Sequence, residues 1–142
     1  MRLGIFGGTF DPPHFSHLIL AEEAREQLAL DTVLWLPAGQ SPFKQLQSSS
    51  PVEQRLQLVA AAIAGNSHFE LSRVDCDRPP PQYSADTIAI LQQAYPQATL
   101  YWIMGADSLR DLPQWERSAE FIAGCQLAVL KRPGVTMDLS DI

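Results

Sequence analysis

Residues 3 to 17 read Leu3-Gly4-Ile5-Phe6-Gly7-Gly8-Thr9-Phe10-Asp11-Pro12-Pro13-His14-Phe15-Ser16-His17. The unbroken apolar run Leu3 to Phe6 has the composition of a strand covered on both faces. Gly7 and Gly8 end it. With no Cβ in the way, two glycines let the chain turn sharply and bring backbone N–H groups close to a bulky anion. Thr9 adds a hydroxyl, and Pro12 and Pro13 stiffen the exit. An amphipathic stretch from about His17 to Leu28 predicts a helix, whose first N–H groups attract negative charge. His14 and His17 stand three apart, so in a first helical turn their rings share one face and both can donate to phosphate oxygens. The stretch therefore reads as a phosphate site. The alternative is a strand-turn-helix corner with two surface histidines.

Further strand candidates follow at Thr32 to Leu36, Phe69 to Ser72, Thr99 to Met104 and Gln126 to Leu130, with helical patterns in most of the gaps. That alternation predicts an α/β fold, a doubly wound parallel sheet with helices on both faces. In such sheets the ligand sits beyond the C-terminal strand ends where strand order reverses, and the order 3-2-1-4-5 places strands 1 and 4 side by side. The fourth strand breaks at Gly105-Ala106-Asp107-Ser108, a second glycine turn. Two glycine turns at adjacent strand ends are expected to face one pocket.

The 142 residues suit a single domain, with 46% hydrophobic residues and a net charge of −6. An acidic chain without a basic surface is a poor partner for nucleic acid, although a site can still gather donors for one nucleotide. No apolar run is long enough to span a bilayer, and the N-terminus enters a core strand without a signal-peptide pattern, so no membrane and a cytoplasmic location are expected. Cys76 and Cys125 lack Cys-x-x-Cys spacing and neighbouring His, which argues against zinc and redox chemistry. Cys125 reads as core, Cys76 as a loop thiol.

The first helix places Leu20, Ala21, Ala24 and Leu28 on one face, which makes it a packing helix. Pro37 to Ser50 is a polar loop holding one cation, Lys44. Ser50, Pro51 and Glu53 have the pattern of a capping box opening a second helix that Gly65 closes. Asp77 to Gln82, with three successive prolines, is a stiff connector. Ser84 is the expected N-cap of the next helix. Asp107 and Ser108 read equally as helix caps, Trp115 as a core aromatic and Arg132 as a solvated strand-end charge.

Neither the Gly-x-Gly-x-x-Gly order of dinucleotide folds nor the Gly-Lys-Ser/Thr ending of the P-loop is present. Residues 8 to 17 instead resemble the nucleotidyltransferase family that carries a GTFDPxHxGH-type motif, with Ser16 where that family most often has glycine. Tyr83-Ser84 with Asp86-Thr87, Met104-Gly105-Ala106-Asp107-Ser108, the Leu112-x-x-Trp115 step and Arg132-Pro133-Gly134 match, in order, the family's nicotinate-nucleotide adenylyltransferase branch. The resemblance covers residues 1 to about 134. It implies a Rossmann-like fold, ATP and nicotinate mononucleotide as substrates, and deamido-NAD and pyrophosphate as products. It also implies Mg2+ held mainly by phosphates and water.

Residue by residue, the resemblance implies that Gly7, Gly8, Thr9, Phe10, His14, His17 and Lys44 bind the ATP phosphates, with His17 and His14 the catalytic donors. Gly105 and Asp107 match positions at the ATP nucleoside. Tyr83, Ser84, Trp115 and Arg132 match positions at the mononucleotide, Trp115 stacking on the pyridine ring; Ser84 stands where the family usually has threonine. Family members continue to an Ile-Ser-Ser-Thr-x-x-Arg type motif that also binds triphosphate, and Val135 to Ile142 contain no counterpart. The chain is thus expected to lack the family's C-terminal segment. Related transferases with another acceptor, such as phosphopantetheine, and a nucleotide-binding module without turnover are the competing readings.

Overall fold

A computed structural model describes residues 1–39 and 50–130, Asp107 by its backbone alone. Five strands form one sheet: β1 (Arg2–Gly8), β2 (Thr32–Pro37), β3 (Phe69–Leu71), β4 (Thr99–Gly105) and β5 (Gln126–Leu130). All neighbours are parallel and the order is β3-β2-β1-β4-β5, as the strand pattern predicts. β1 pairs with β2 from Leu3 opposite Thr32 to Gly8 opposite Pro37, and with β4 from Arg2 opposite Thr99 to Ile5 opposite Trp102.

Parallel strands need crossovers, and these supply the two covering layers. Helices α1 (Phe15–Leu28) and α2 (Val52–Ile63) bury Ala21, Ala24, Val59 and Ile63 against Phe6, Val33, Trp35 and Ile103. On the other face, α3 (Ser84–Ala94), the short α4 (Ala106–Leu109) and α5 (Ser118–Gly124) bury Ala85, Ile88, Leu91, Leu109 and Phe121 against Leu3, Ile5, Leu36, Leu100 and Trp102. Side chains alternate along β1, Leu3 and Ile5 in one core and Phe6 in the other, so this strand is the partition between them. No described helix is long and apolar enough to cross a membrane.

Two expected caps are absent. The Ser50–Glu53 capping box does not form: the Ser50 N–H donates to Asp11 Oδ2 at 2.7 Å, Glu53 pairs with Arg73, and Pro51 precedes the helix without a side-chain cap. Ser84 is not an N-cap but the first helical residue of α3, with Tyr83 before it in extended backbone. At Ser50 and Glu53 distant partners take the groups that the box would have used, whereas at the start of α3 the Asp86 and Thr87 N–H groups donate to Tyr83 O. The connector before α3 is anchored by Asp75, whose Oδ1 accepts from Thr87 Oγ1 at 2.6 Å and from Arg78 Nη1 at 3.0 Å. Burial raises the Asp75 carboxyl pKa, an effect that outweighs the opposing pull of Thr87 and Arg78.

Candidate active site

Four of the expected contributors, Gly7, His17, Gly105 and Trp115, meet at the C-terminal ends of β1 and β4. A cavity of about 280 Å³ opens there, lined by Phe6, Gly7, His17, Leu20, Trp102, Ile103, Met104, Gly105, Ser108 and Trp115. Both glycine turns thus reach one cavity. A second hollow of about 310 Å³ lies at the opposite ends of β4 and β5, between residues such as Gln92, Thr99, Gly124 and Cys125. No charged or imidazole side chain lines it, so it offers nothing to a polyanion.

The first turn is built on Phe10. Its backbone is left-handed, with φ 51°, a conformation that a residue with a Cβ adopts only when its surroundings enforce it. The enforcing contact is the buried ring, which packs against Phe6, Trp35 and His17 with centroids 5.5, 5.2 and 5.0 Å away. Gly8 passes over this ring so closely that a Cβ there would stand 3.2 Å from it.

His17 occupies the third position of α1, and its Nδ1 accepts the His14 backbone N–H at 3.1 Å. A ring nitrogen that accepts carries no proton, so the neutral ring holds its proton on Nε2 as a donor. Burial first, and the neighbouring His14 second, push the His17 pKa below its ordinary value and favour this neutral form. The His14 ring stacks on His17 at 4.0 Å, with its Nδ1 3.0 Å from Ser16 Oγ. Ser16 thereby gives the turn a hydroxyl where glycine is the family norm.

Two residues outside the motif tie this turn down. Asp11 accepts the Ser50 N–H, and that bond, helped by the Arg55 charge, holds its carboxyl below the usual range. Arg55 is fully buried and donates from Nε to Ser50 O at 3.0 Å and from Nη1 to Thr9 O at 2.8 Å. An arginine in a helix reads as a solvated residue from sequence alone. Its only sequence signal is the position, one residue before the buried Leu56 and four before Val59.

At the second turn, Gly105 precedes α4 in extended backbone, φ −77° and ψ 161°. Asp107 and Ser108 lie within that helix and Gly105 stands at its N-cap position. Trp115 follows a 3-10 turn over Leu112–Gln114 and is half-buried. Its ring lies 5.2 Å from Phe121 and 6.3 Å from Trp102 while also lining the cavity, so it is both a core aromatic and a wall of the site.

The remaining expected residues are less central. Gly8, Thr9, Phe10 and His14 continue from the cavity wall along the turn and helix start without lining it. Tyr83 and Ser84 do not reach the wall; Tyr83 is exposed, with the Arg117 guanidinium 5.8 Å above its ring. Its backbone carbonyl accepts from Arg78 and Thr87. Lys44 and Arg132 lie outside the described residues. No cluster of three metal-binding side chains occurs among the described residues. Both cysteines are free thiols, and burial raises Cys125 to about 11, as for an unreactive core residue.

A parallel sheet of this order, with glycine turns from its two central strands opening on one cavity, is the frame of a nucleotide-transferring α/β domain. Residues 5–141 match the model of the cytidylyltransferase-like family, and the chain belongs to it. Within that family it is 47% identical over 137 residues to a protein of Gloeobacter violaceus named "Probable nicotinate-nucleotide adenylyltransferase", covering 96% of this chain and 66% of that one. A protein of the same name from Pelobacter propionicus is 48% identical over 134 residues, covering 94% and 62%. The chain spans about two thirds of the length of these relatives. Among solved structures, Plasmodium falciparum nicotinic acid mononucleotide adenylyltransferase complexed with NaAD superposes with a TM-score of 0.81 at 16% identity, covering 99% of this chain and 69% of that one. At that identity the agreement is one of fold.

Proposed function

We propose that this chain is an adenylyltransferase that joins ATP to nicotinate mononucleotide, giving deamido-NAD and pyrophosphate. The observation that carries the reading is the single cavity between the β1 and β4 ends, with a neutral Nε2–H donor, His17, on one wall and an indole, Trp115, on another. The shared name of relatives 47% and 48% identical supports the acceptor.

In this reading the mononucleotide phosphate oxygen attacks the α-phosphorus of ATP in line. A P–O bond forms as the bond to the leaving pyrophosphate breaks. Such a transfer needs no protein nucleophile. Catalysis lies in holding two polyanions in register and stabilising charge on the departing oxygens. His17 Nε2–H donates to those oxygens, with His14 beside it, and the Gly8 to Phe10 turn supplies backbone N–H groups. A neutral donor suits this role, because it binds charge without itself needing a counter-ion in the half-buried site. Gly105 and Asp107 are assigned to the nucleoside by their motif, and Trp115, on the cavity wall, is assigned to stack on the pyridine ring. Tyr83 and Ser84 order the approach to the acceptor end, and Lys44 and Arg132 are assigned to phosphate and mononucleotide by motif alone. The donor set at the turn is imidazoles and amides, with no carboxylate cage, so Mg2+ would travel on the triphosphate and supply charge neutralisation there.

The test is pyrophosphate release from ATP by the full chain, with nicotinate mononucleotide, phosphopantetheine and a sugar phosphate compared as acceptors. Release with nicotinate mononucleotide is expected. Release with another acceptor only would change the substrate, and binding of ATP without release under any condition would leave a nucleotide-binding module.

A further inference from the structure

Arg55 is fully buried, yet no acidic side chain among the described residues accepts a hydrogen bond from it. A guanidinium is always charged, and burying one without a counter-ion is costly unless something else answers the charge. Two of its nitrogens are answered by backbone carbonyls, those of Ser50 and Thr9, while Nη2 has no partner among the described residues. Ser50 is itself held at its N–H by Asp11. Arg55 thus reaches from α2 to both sides of the first glycine turn.

What this does to the turn follows from peptide geometry. The Thr9–Phe10 peptide is trans, since the cis bonds are Asp11–Pro12 and Pro80–Pro81. In a trans peptide the C=O and the N–H point in opposite directions. Drawing the Thr9 oxygen 2.8 Å from a buried guanidinium therefore turns the Phe10 N–H to the side away from Arg55. No described residue accepts a hydrogen bond from that N–H. The left-handed backbone at Phe10 keeps the peptide in this orientation.

We infer that Arg55 is a positioning residue for a polyphosphate: its fork holds the Thr9 carbonyl inward so that the Phe10 N–H is presented to a phosphate oxygen. This rests on the proposed phosphate role of the Gly8 to Phe10 turn. The two hydrogen bonds, one to each flank, need a planar fork, which an ammonium cannot reproduce.

The experiment titrates the 15N-labelled full chain with inorganic tripolyphosphate and follows the Phe10 amide. In the wild-type protein the Phe10 amide proton moves downfield and saturates. Arg55→Gln binds tripolyphosphate tenfold or more weakly, and Arg55→Lys recovers less than half of that loss on a logarithmic scale. In turnover, Arg55→Lys raises the KM for ATP and leaves the mononucleotide KM unchanged, a split that general destabilisation would not produce. A Phe10 amide that stays put in the wild-type chain overturns the inference, as does an Arg55→Lys protein that binds as tightly as wild type. Should neither variant fold, the wild-type Arg55 Nη1–H, which donates to Thr9 O, decides: it shifts with the same midpoint as Phe10 if the two are coupled through Thr9, and a silent resonance refutes the coupling. Tripolyphosphate binding at Phe10 without pyrophosphate release from ATP would defeat the proposed reaction and leave this inference standing. Release with a silent Phe10 would do the reverse.

Discussion

The two glycine turns that meet at the cavity are held in different ways. The first is cross-braced: Asp11 to Ser50, Arg55 to Ser50 and Thr9, the Phe10 ring beneath Gly8, and His17 Nδ1 on the His14 N–H. The second has little around it among the described residues. A Cβ on Gly105 would meet no atom within 4 Å, and the four-residue helix after it has no side-chain cap. A braced turn presents its donors without reorganising when charge develops, which is what the proposed transfer would demand at its leaving group. An open turn suits a neutral nucleoside, whose contacts are shape and a few hydrogen bonds.

The contrast predicts a ranking of effects. The largest belongs to the braced side: His17→Ala should lower kcat by ~10² or more, as for loss of one preorganised donor, with the protein still folded. Near-normal turnover would reduce His17 to a helix-start residue. Next, Trp115→Ala should weaken mononucleotide binding by about 1 to 3 kcal/mol, the range for stacking on an aromatic, with ATP affinity little changed. Calorimetry with each ligand measures this, and circular dichroism checks that the packing on Trp102 and Phe121 survives. An unaltered acceptor affinity in a folded variant would make Trp115 purely structural.

Smaller effects separate the turns themselves. Gly8→Ala pushes a methyl against the buried Phe10 ring and should cost about 1 kcal/mol or more of stability. Gly105→Ala has space and a negative φ, so it should be neutral or stabilising by about 0.4 to 1 kcal/mol through the unfolded chain. Urea melts of the pair test this, and equal losses would erase the distinction between braced and open.

The smallest effect is in titration. His17 should titrate by NMR below its ordinary 6.5, because burial and then the His14 charge disfavour the cation. With the folded value lowered, the unfolded chain takes up its proton first as pH falls. The stabilising contribution is therefore complete above the unfolded value and is lost as pH drops through the folded one. His14→Gln should raise the His17 midpoint only part of the way, since burial is the larger cause. A full return to the ordinary value would reverse that order of causes.

Much of the architecture was legible because it rests on burial patterns. Each strand is a short apolar run, and the alternation with helices permits few orders. The first glycine turn was legible for the same reason, its residues being adjacent in the chain. What escaped depends on partners distant in sequence. Ser50, Pro51 and Glu53 spell a capping box, but Asp11 and Arg73 claim the groups that would have closed it. Arg55 carries no local sign that its side chain runs inward to Thr9, 46 positions earlier. Ser84 is a different case: hydroxyls favour helix starts, yet α3 begins at Ser84 itself, one residue earlier than a cap there would set it. Trp115 could be read as core or as site, and its ring packs on Phe121 while also lining the cavity.

The central position of β1 has a consequence for the order in which the site comes into being. A chain made from its N-terminus produces the first glycine turn first, yet the cavity's other wall is β4, whose Trp102 lies beside Ile5 only after all the chain between them has been made. Until then one edge of β1 stands unpaired. Closing so long a loop is slow, and nothing rewards it before the two strands meet. Binding competence therefore arrives late, in one step, when β4 docks. A ligand that touches both strand ends acts as a clasp on that last event: it stabilises only chains that have completed it, and in a refolding experiment it should slow reopening rather than hasten assembly.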